Sequence, residues 1–316
     1  MTTTTSAPPT MMTAIVAAAA GDRRTERRRV EVPKPGPGEA LVAVRAFSIN
    51  RGELALLSQR DPGWRPGQDI AGEVAAVGDG VTDIEVGQRV AALVDGGGWA
   101  EYALAPERRI AALPAGVTVE QAAALPMAGT TALGLVRRGG ALLGRRALVT
   151  GASGGVGGYA VQLLARSGAH VVALARATHT QRLHVLGAAE VVEALDDQVA
   201  PVDFALESVG GQTLARAIAH INTEGTVVMF GNSSGEPTPI DVFTFAGGHE
   251  DARLQTYFSY HHEHEAGADL ATLLNLTAHG NLHVEVGLQE PWDAIEDTLD
   301  ALAQRRVTAK AVLTIA

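Results

Sequence analysis

From residue 30 to about 118, apolar and polar positions trade places in short runs. Val30-Glu31-Val32 leads into a rigid connector, Pro33-Lys34-Pro35-Gly36-Pro37-Gly38. Ala40 to Ala46 alternates with a period of two, the pattern of a half-buried strand. Val74-Ala75-Ala76-Val77 stops at the turn signal Gly78-Asp79-Gly80, and Val90 to Val94 forms another short strand after Gly87-Gln88-Arg89. The earlier apolar run Ala14 to Ala20 is too short to span a membrane and reads as the first strand. Short strands cut by Gly, Asp and Pro turns predict a β-barrel or sandwich.

Near residue 119 the period changes. Val119 to Leu125 reads as an Ala-rich helix and Thr130 to Arg138 as another. Strands then alternate with helices: strands at 147–150, 170–174, 202–206 and 226–230, helices at 157–167, 180–186 and 213–220. Alternation of this length predicts a parallel, doubly wound sheet. The chain closes on an amphipathic helix, Ala294 to Gln304, and a strand, Ala311 to Ile315.

Composition narrows the chemistry. There is no cysteine, which removes disulfides, thiolate zinc sites, iron–sulfur clusters and cysteine nucleophiles together. The net charge of −10 argues against nucleic acid as a partner. No apolar window approaches ~18 residues and no basic segment precedes an apolar leader, so a cytoplasmic protein with no membrane partner is expected. The Thr/Pro-rich start, residues 1–10, reads as a disordered tail. Lys34 and Lys310 are the only lysines.

The most informative segment is Ala147 to Gly158. An apolar strand enters Gly151-Ala152-Ser153-Gly154-Gly155-Val156-Gly157 and continues as a helix. Glycines let a backbone approach a pyrophosphate, and the helix N-terminus offers free N–H groups and a positive dipole end. The next strand ends at Arg176, about 20 residues past the loop, where an NAD enzyme carries an acid for the ribose 2′-OH. A guanidinium there suits a 2′-phosphate, so NADPH is the expected cofactor. Gly151-Ala152-Ser153-Gly154-Gly155 also fits the G-x-S-x-G elbow of α/β-hydrolases, but nothing positions a later acid and histidine, and a barrel-like region is wrong before that fold. The same glycines match short-chain dehydrogenases, whose Tyr-x-x-x-Lys neither lysine completes.

Further segments share one pattern: Glu31-Val32-Pro33-Lys34-Pro35-Gly36-Pro37-Gly38-Glu39, then Asn50, then Gly67-Gln68-Asp69-Ile70-Ala71-Gly72-Glu73-Val74. Leu125-Pro126-Met127-Ala128-Gly129-Thr130-Thr131-Ala132, Val202-Asp203 to Gly211 and Lys310-Ala311-Val312-Leu313 complete it. Over residues 12–316 the combination resembles the medium-chain dehydrogenase/reductase superfamily, in its zinc-independent quinone oxidoreductase and enoyl reductase branch. The resemblance implies an α/β fold: a GroES-like β-barrel catalytic domain (11–118 and 281–316) and a Rossmann doubly wound parallel-sheet domain (119–280). It implies nicotinamide contacts at Thr131, Ser208, Val209, Gly210, Phe230 and Gly231, cofactor contacts at Thr178 and Lys310, and a homodimer. It also implies that Asn50 hydrogen-bonds substrate or nicotinamide ribose. Where the family's zinc enzymes carry G-H-E, this chain has Gly67-Gln68-Asp69, so no metal is expected.

Hydride transfer from NADPH to a quinone or an α,β-unsaturated carbonyl is the function these features imply. The alternatives are a pathway-specific ketone or enoyl tailoring reductase and a non-catalytic NADPH-binding redox sensor. Candidate proton donors are Tyr257, Tyr260 and Glu53, with solvent as the fourth. Asn50-Arg51-Gly52-Glu53 departs from the aromatic and Arg-Asp of many enoyl reductases, which counts against acyl thioesters. His261-His262-Glu263-His264-Glu265 has metal-like spacing but reads as a solvated loop or helix start. The run Arg23-Arg24 with Arg27-Arg28-Arg29 reads as a solvated hairpin, and the apolar face of Trp292 to Leu302 as core or dimer contact.

Overall fold

The computed structural model describes residues 8–19, 23–262 and 266–316. The first part of the chain holds β1 (Met11–Ala17), β2 (Thr25–Glu31), β3 (Glu39–Ile49), α1 (Arg51–Gln59), β4 (Asp69–Val77), β5 (Arg89–Leu93), β6 (Tyr102–Pro106), β7 (Ile110–Ala112) and α2 (Val119–Ala123). There follow α3 (Pro126–Arg137), β8 (Arg146–Val149), α4 (Gly155–Arg166), β9 (His170–Leu174), α5 (Thr180–Val185), β10 (Glu190–Val192), β11 (Val202–Glu207), α6 (Gly211–Ile218), β12 (Ile221–Met229) and β13 (Arg253–Thr256). The last part holds α7 (Ala266–Ala278), β14 (Val286–Pro291), α8 (Ile295–Ala303) and β15 (Lys310–Thr314). These divide into two compact units, Met1–Thr130 with Glu263–Ala316, and Thr131–His262. The seams fall inside the 119–280 segment expected to be nucleotide-binding. Helix α2 packs on β3 and β4, and α7 packs on β5 and β7, so both belong to the first unit. Periodicity shows that a helix has an apolar face; it does not show which sheet covers that face.

The first unit is built on a seven-stranded sheet of order β14-β15-β3-β4-β5-β7, with β6 pairing β3. All its pairings are antiparallel except β14 with β15. The β3–β4 ladder shifts register twice, between Leu41 and Val42 and between Val44 and Ala46. Such bulges bend a strand and sharpen its twist, which lets the sheet curl around one core. Inside it, Phe47 stacks on Trp99 with ring centroids 5.9 Å apart. Ile295, Leu299 and Leu302 of α8 join that core, so the helix's apolar face is internal.

Strands β1 and β2 form an antiparallel hairpin whose arginines face solvent and the acidic side of α8. Arg24 pairs with Asp300 at 2.6 Å, and Arg27 pairs with Asp293 while lying 4.5 Å over the Trp292 ring. Arg24, Arg27 and Arg28 of the basic run thus pair with acids of their own unit.

The second unit carries a six-stranded, wholly parallel sheet of order β10-β9-β8-β11-β12-β13. Its central strands β8, β9 and β11 are buried along most of their length, which is why they read as apolar runs. Leu148, Val172, Ala205 and Val227 form its centre. Chain order reverses between β8 and β11. That reversal is the switch point at which open α/β sheets bind ligands beyond the carboxyl ends of their strands. Among the described residues, no helix is long and apolar enough to cross a membrane.

Candidate active site

The glycine loop leaves β8 at this switch point. Gly151 adopts a left-handed conformation (φ 59°), which glycine enters without steric cost. A Cβ at Gly157 would strike the Gly151 carbonyl oxygen and lie 2.7 Å from the Ala152 Cα, so only glycine lets α4 start this close to the loop. Helix α4 begins at N-cap Gly154 with no side-chain cap on its first turn. Its leading N–H groups therefore remain available to an anion, where the dipole also favours negative charge. Loop and helix end together fit a dinucleotide pyrophosphate.

Two further loops meet there. Ser208 N–H donates to Thr150 Oγ1 at 3.0 Å, and Ser233 N–H donates to the Ser208 carbonyl at 3.0 Å. Glu207, fully buried at the end of β11, accepts from Thr150 Oγ1 (3.0 Å), Val209 N (2.8 Å) and Gly210 N (3.0 Å). The structure thus gathers Gly151 to Gly157, Ser208-Val209-Gly210 and Phe230-Gly231 at the carboxyl ends of β8, β11 and β12. The sequence signal for Glu207 was an acid closing the apolar strand Val202–Glu207: a buried carboxylate must find donors, and the Val209 and Gly210 N–H groups supply two of them. Arg176 and Thr178 are exposed just after β9, and Ala177 N–H donates to Glu193 Oε1 at 2.7 Å, which braces that turn. Thr131 sits buried on α3.

The tyrosines differ. Tyr257 is 7% exposed; its ring stacks on His262 (4.8 Å) and its hydroxyl abuts Gly134 of α3, where a Cβ would collide with it. The Arg138 guanidinium lies 5.6 Å from the same ring. Tyr257 is therefore packed against α3 within the second unit. Tyr260 is 43% exposed and lies beside Phe258.

The first unit holds a second constellation. Lys310 Nζ, on a side chain 4% exposed, donates to Asn50 Oδ1 at 2.5 Å and to Asp69 Oδ2 at 3.2 Å. Asp69 also accepts from Asn50 Nδ2 (2.9 Å), Ser48 Oγ (2.6 Å) and Met127 N (2.8 Å). Lys310 was expected among the cofactor contacts; in the structure its ammonium bonds Asn50 and Asp69. The antiparallel pairing of β15 with β3 brings it there, a long-range pairing that local sequence does not encode. Ala309, just before it, is a non-glycine residue held at φ 57°. Asp69 and Ser48 were not singled out as site residues from the sequence, although Asp69 lies in the Gly67-to-Val74 segment.

Glu53, a candidate acid, is fully buried on the first turn of α1. Its oxygens accept from Asn50 N (2.8 Å), Gly67 N (3.1 Å) and Gln68 N (3.1 Å), so the carboxyl braces the helix start and the Gly67 loop. Burial pushes it up to about 8, with Asp69 adding to the rise and the backbone N–H groups and Lys310 opposing it. This is a bracing position rather than one open to a reactant.

The donor set does not suit zinc. The chain has no thiolate, and all four bonds to Asp69 come from protein donors. No group of three or more acidic, His or Cys residues that could hold a metal occurs among the described residues. His261 ends a 3-10 turn and His262 meets Tyr257 and Arg138, while Glu263, His264 and Glu265 lie outside the described residues.

Residues 36–115 match the family model of the alcohol dehydrogenase GroES-like domain, and residues 186–313 that of zinc-binding dehydrogenases. A chloroplast envelope quinone oxidoreductase homolog of Arabidopsis thaliana is 39% identical over 199 residues, 58% of this chain and 59% of that protein. The chain thus spans less than two thirds of that relative. Prostaglandin reductase-3 of Mus musculus is 32% identical over 84% of this chain and 76% of its own length. A solved mycobacterial protein complexed with NADPH superposes with a TM-score of 0.86 at 26% identity, covering 96% of this chain and all of that one.

Proposed function

Because the chain belongs to the medium-chain dehydrogenase/reductase superfamily, beside quinone oxidoreductases and prostaglandin reductases, we propose that it is an NADPH-dependent reductase of quinones or α,β-unsaturated carbonyls. The observation that carries this reading is the uncapped start of α4 behind the glycine loop at the switch point, followed by Arg176 after β9. In this reading Gly151 to Gly157 hold the pyrophosphate, and Arg176 and Thr178 hold the 2′-phosphate. Thr131, Ser208 to Gly210, Phe230 and Gly231 flank the nicotinamide. Bound NADPH would supply a hydride.

Quinones and enones accept a hydride without Lewis-acid activation, in keeping with a donor set that does not suit zinc. Asn50 supplies polar contact to the substrate oxygen. Tyr257 and Glu53 are committed to packing and bracing, which favours solvent or the exposed Tyr260 as proton source. The reading includes a cytoplasmic homodimer. Exposed Ile240, Val242, Phe243 and Phe258, and the sheet-edge strand β13, support association of the second unit with a like surface. Light scattering and cell fractionation test these two points.

The test of the activity is loss of absorbance at the reduced-nicotinamide band, with NADPH and then NADH, against quinones, enones, enals and simple ketones. Turnover of quinones or enones with NADPH preferred is the expected result. NADPH binding without reduction of any of them overturns the reading in favour of a sensor.

A further inference from the structure

Asn50 is half-buried at the end of β3, with its carboxamide between two buried ions. The chemistry of its neighbours fixes which way that amide faces. Lys310 ammonium has only donors, so the atom it meets at 2.5 Å must be the amide oxygen. An ionised Asp69 carboxylate has only acceptors, so the atom it meets at 2.9 Å must be the amide nitrogen. Flipping the amide would set donor against donor and acceptor against acceptor. Asp69 is itself pinned by Ser48 Oγ and the Met127 N–H, which leaves it no freedom to turn. One Nδ2 hydrogen is spent on Asp69, and the other has no partner among the described residues.

We infer that Asp69 and Lys310 are positioning residues that lock Asn50 as a pure hydrogen-bond donor, selecting ligands that present an acceptor oxygen such as a quinone or enone carbonyl. The inference rests on the reductase reading and refines it. As hydride adds to the β-carbon of an enone, the C=C π pair shifts toward the carbonyl and charge grows on its oxygen. A solvent proton at the α-carbon then completes the saturated carbonyl. A donor held in one orientation, and unable to rotate away, stabilises the charge of an oxygen bonded to it without reorganising. The Lys310 cation on Oδ1 polarises the amide further and makes its N–H a stronger donor.

The test compares Asn50→Ala, Asp69→Asn and the double variant in quinone reduction, with NADPH affinity measured separately. Asn50→Ala is expected to lower kcat by about 100-fold, the scale of one lost oxyanion donor. Asp69→Asn should fall by a similar factor with NADPH affinity unchanged, and should add almost nothing in the Asn50→Ala background. Losses that multiply in the double variant, or Asp69→Asn with the kcat of the parent, overturn the inference. If Asp69→Asn does not fold because Lys310 is left as a lone buried charge, the neutral pair Asp69→Asn with Lys310→Met takes its place. A readout free of turnover is the ¹⁵N–¹H side-chain amide signal of Asn50, identified by its absence in Asn50→Ala. It should be shifted and protected in the parent and lose both features in Asp69→Asn. A parent that reduces none of the compounds overturns the reductase reading, and an Asn50 amide signal indifferent to Asp69→Asn overturns the lock.

Discussion

Thr150 Oγ1 accepts the Ser208 N–H at 3.0 Å and donates to Glu207 Oε1 at the same distance, so one hydroxyl joins the loop after β8 to the loop after β11. Both loops flank the switch point. Thr150→Val keeps the shape and removes the bridge, leaving the Ser208 N–H without that acceptor. An unsatisfied buried donor costs ~1–3 kcal/mol. We expect a lower Tm together with weaker NADPH binding, read by calorimetry and by nucleotide fluorescence. A variant with the parent's nucleotide affinity would remove the loop bridge from the cofactor site.

Arg176 follows β9 with no acid paired to it among the described residues; Glu193 holds the neighbouring Ala177 N–H. If it meets the 2′-phosphate, Arg176→Ala removes a charge-assisted bond of ~1.5–3 kcal/mol, a loss of roughly 10- to 100-fold in NADPH affinity. NADH has no phosphate there and should lose little. Titration of both cofactors decides it: equal weakening sinks the assignment.

Glu53 makes stability depend on pH. In the folded state its carboxyl holds a proton up to about 8, against 4.5 for the ordinary group. Across that window the folded chain binds more protons than the unfolded one, so stability is greatest at the acid end and falls as pH rises. Tm measured from pH 5 to 8 should decline in the parent. Glu53→Gln should start lower, because an amide –NH₂ would face backbone donors, but should lack this decline. A parallel decline in both proteins would remove Glu53 as its source.

The donor set around Asp69 makes a different demand. Prolonged incubation with EDTA should leave quinone turnover unchanged. Loss of activity that zinc restores would overturn the metal-free reading.

How far the sequence reached depends on which forces are local. The strand His170–Leu174 was legible in full because an all-apolar run between polar ends needs no distant partner to be recognised. The glycine loop was legible because its conformation demands glycine at fixed places. Strand β14, Val286–Pro291, was not: its residues are mostly exposed, so no burial pattern marks them, and only pairing with β15 makes them a strand. Helix α1 hid for a related reason, since it buries just Glu53 and Leu57. Lys310 is the most instructive residue. A lysine at the start of an apolar strand states that it will be buried and paired, but its partners Asn50 and Asp69 lie at the far end of the chain.

That distance has a consequence for how the protein is made. The first unit is split in sequence, with Thr131–His262 inserted between its two parts. During synthesis the inserted sheet emerges whole and can fold while the ribosome is still translating. The curled sheet cannot: β3 lacks its neighbour β15 until Lys310–Thr314 has been made, and such long-range pairing is slow. Asn50 therefore waits for 260 further residues before Lys310 exists. The lock on its amide is assembled after the glycine loop, and a ribosome that stops before codon 310 releases a chain with that loop and no lock.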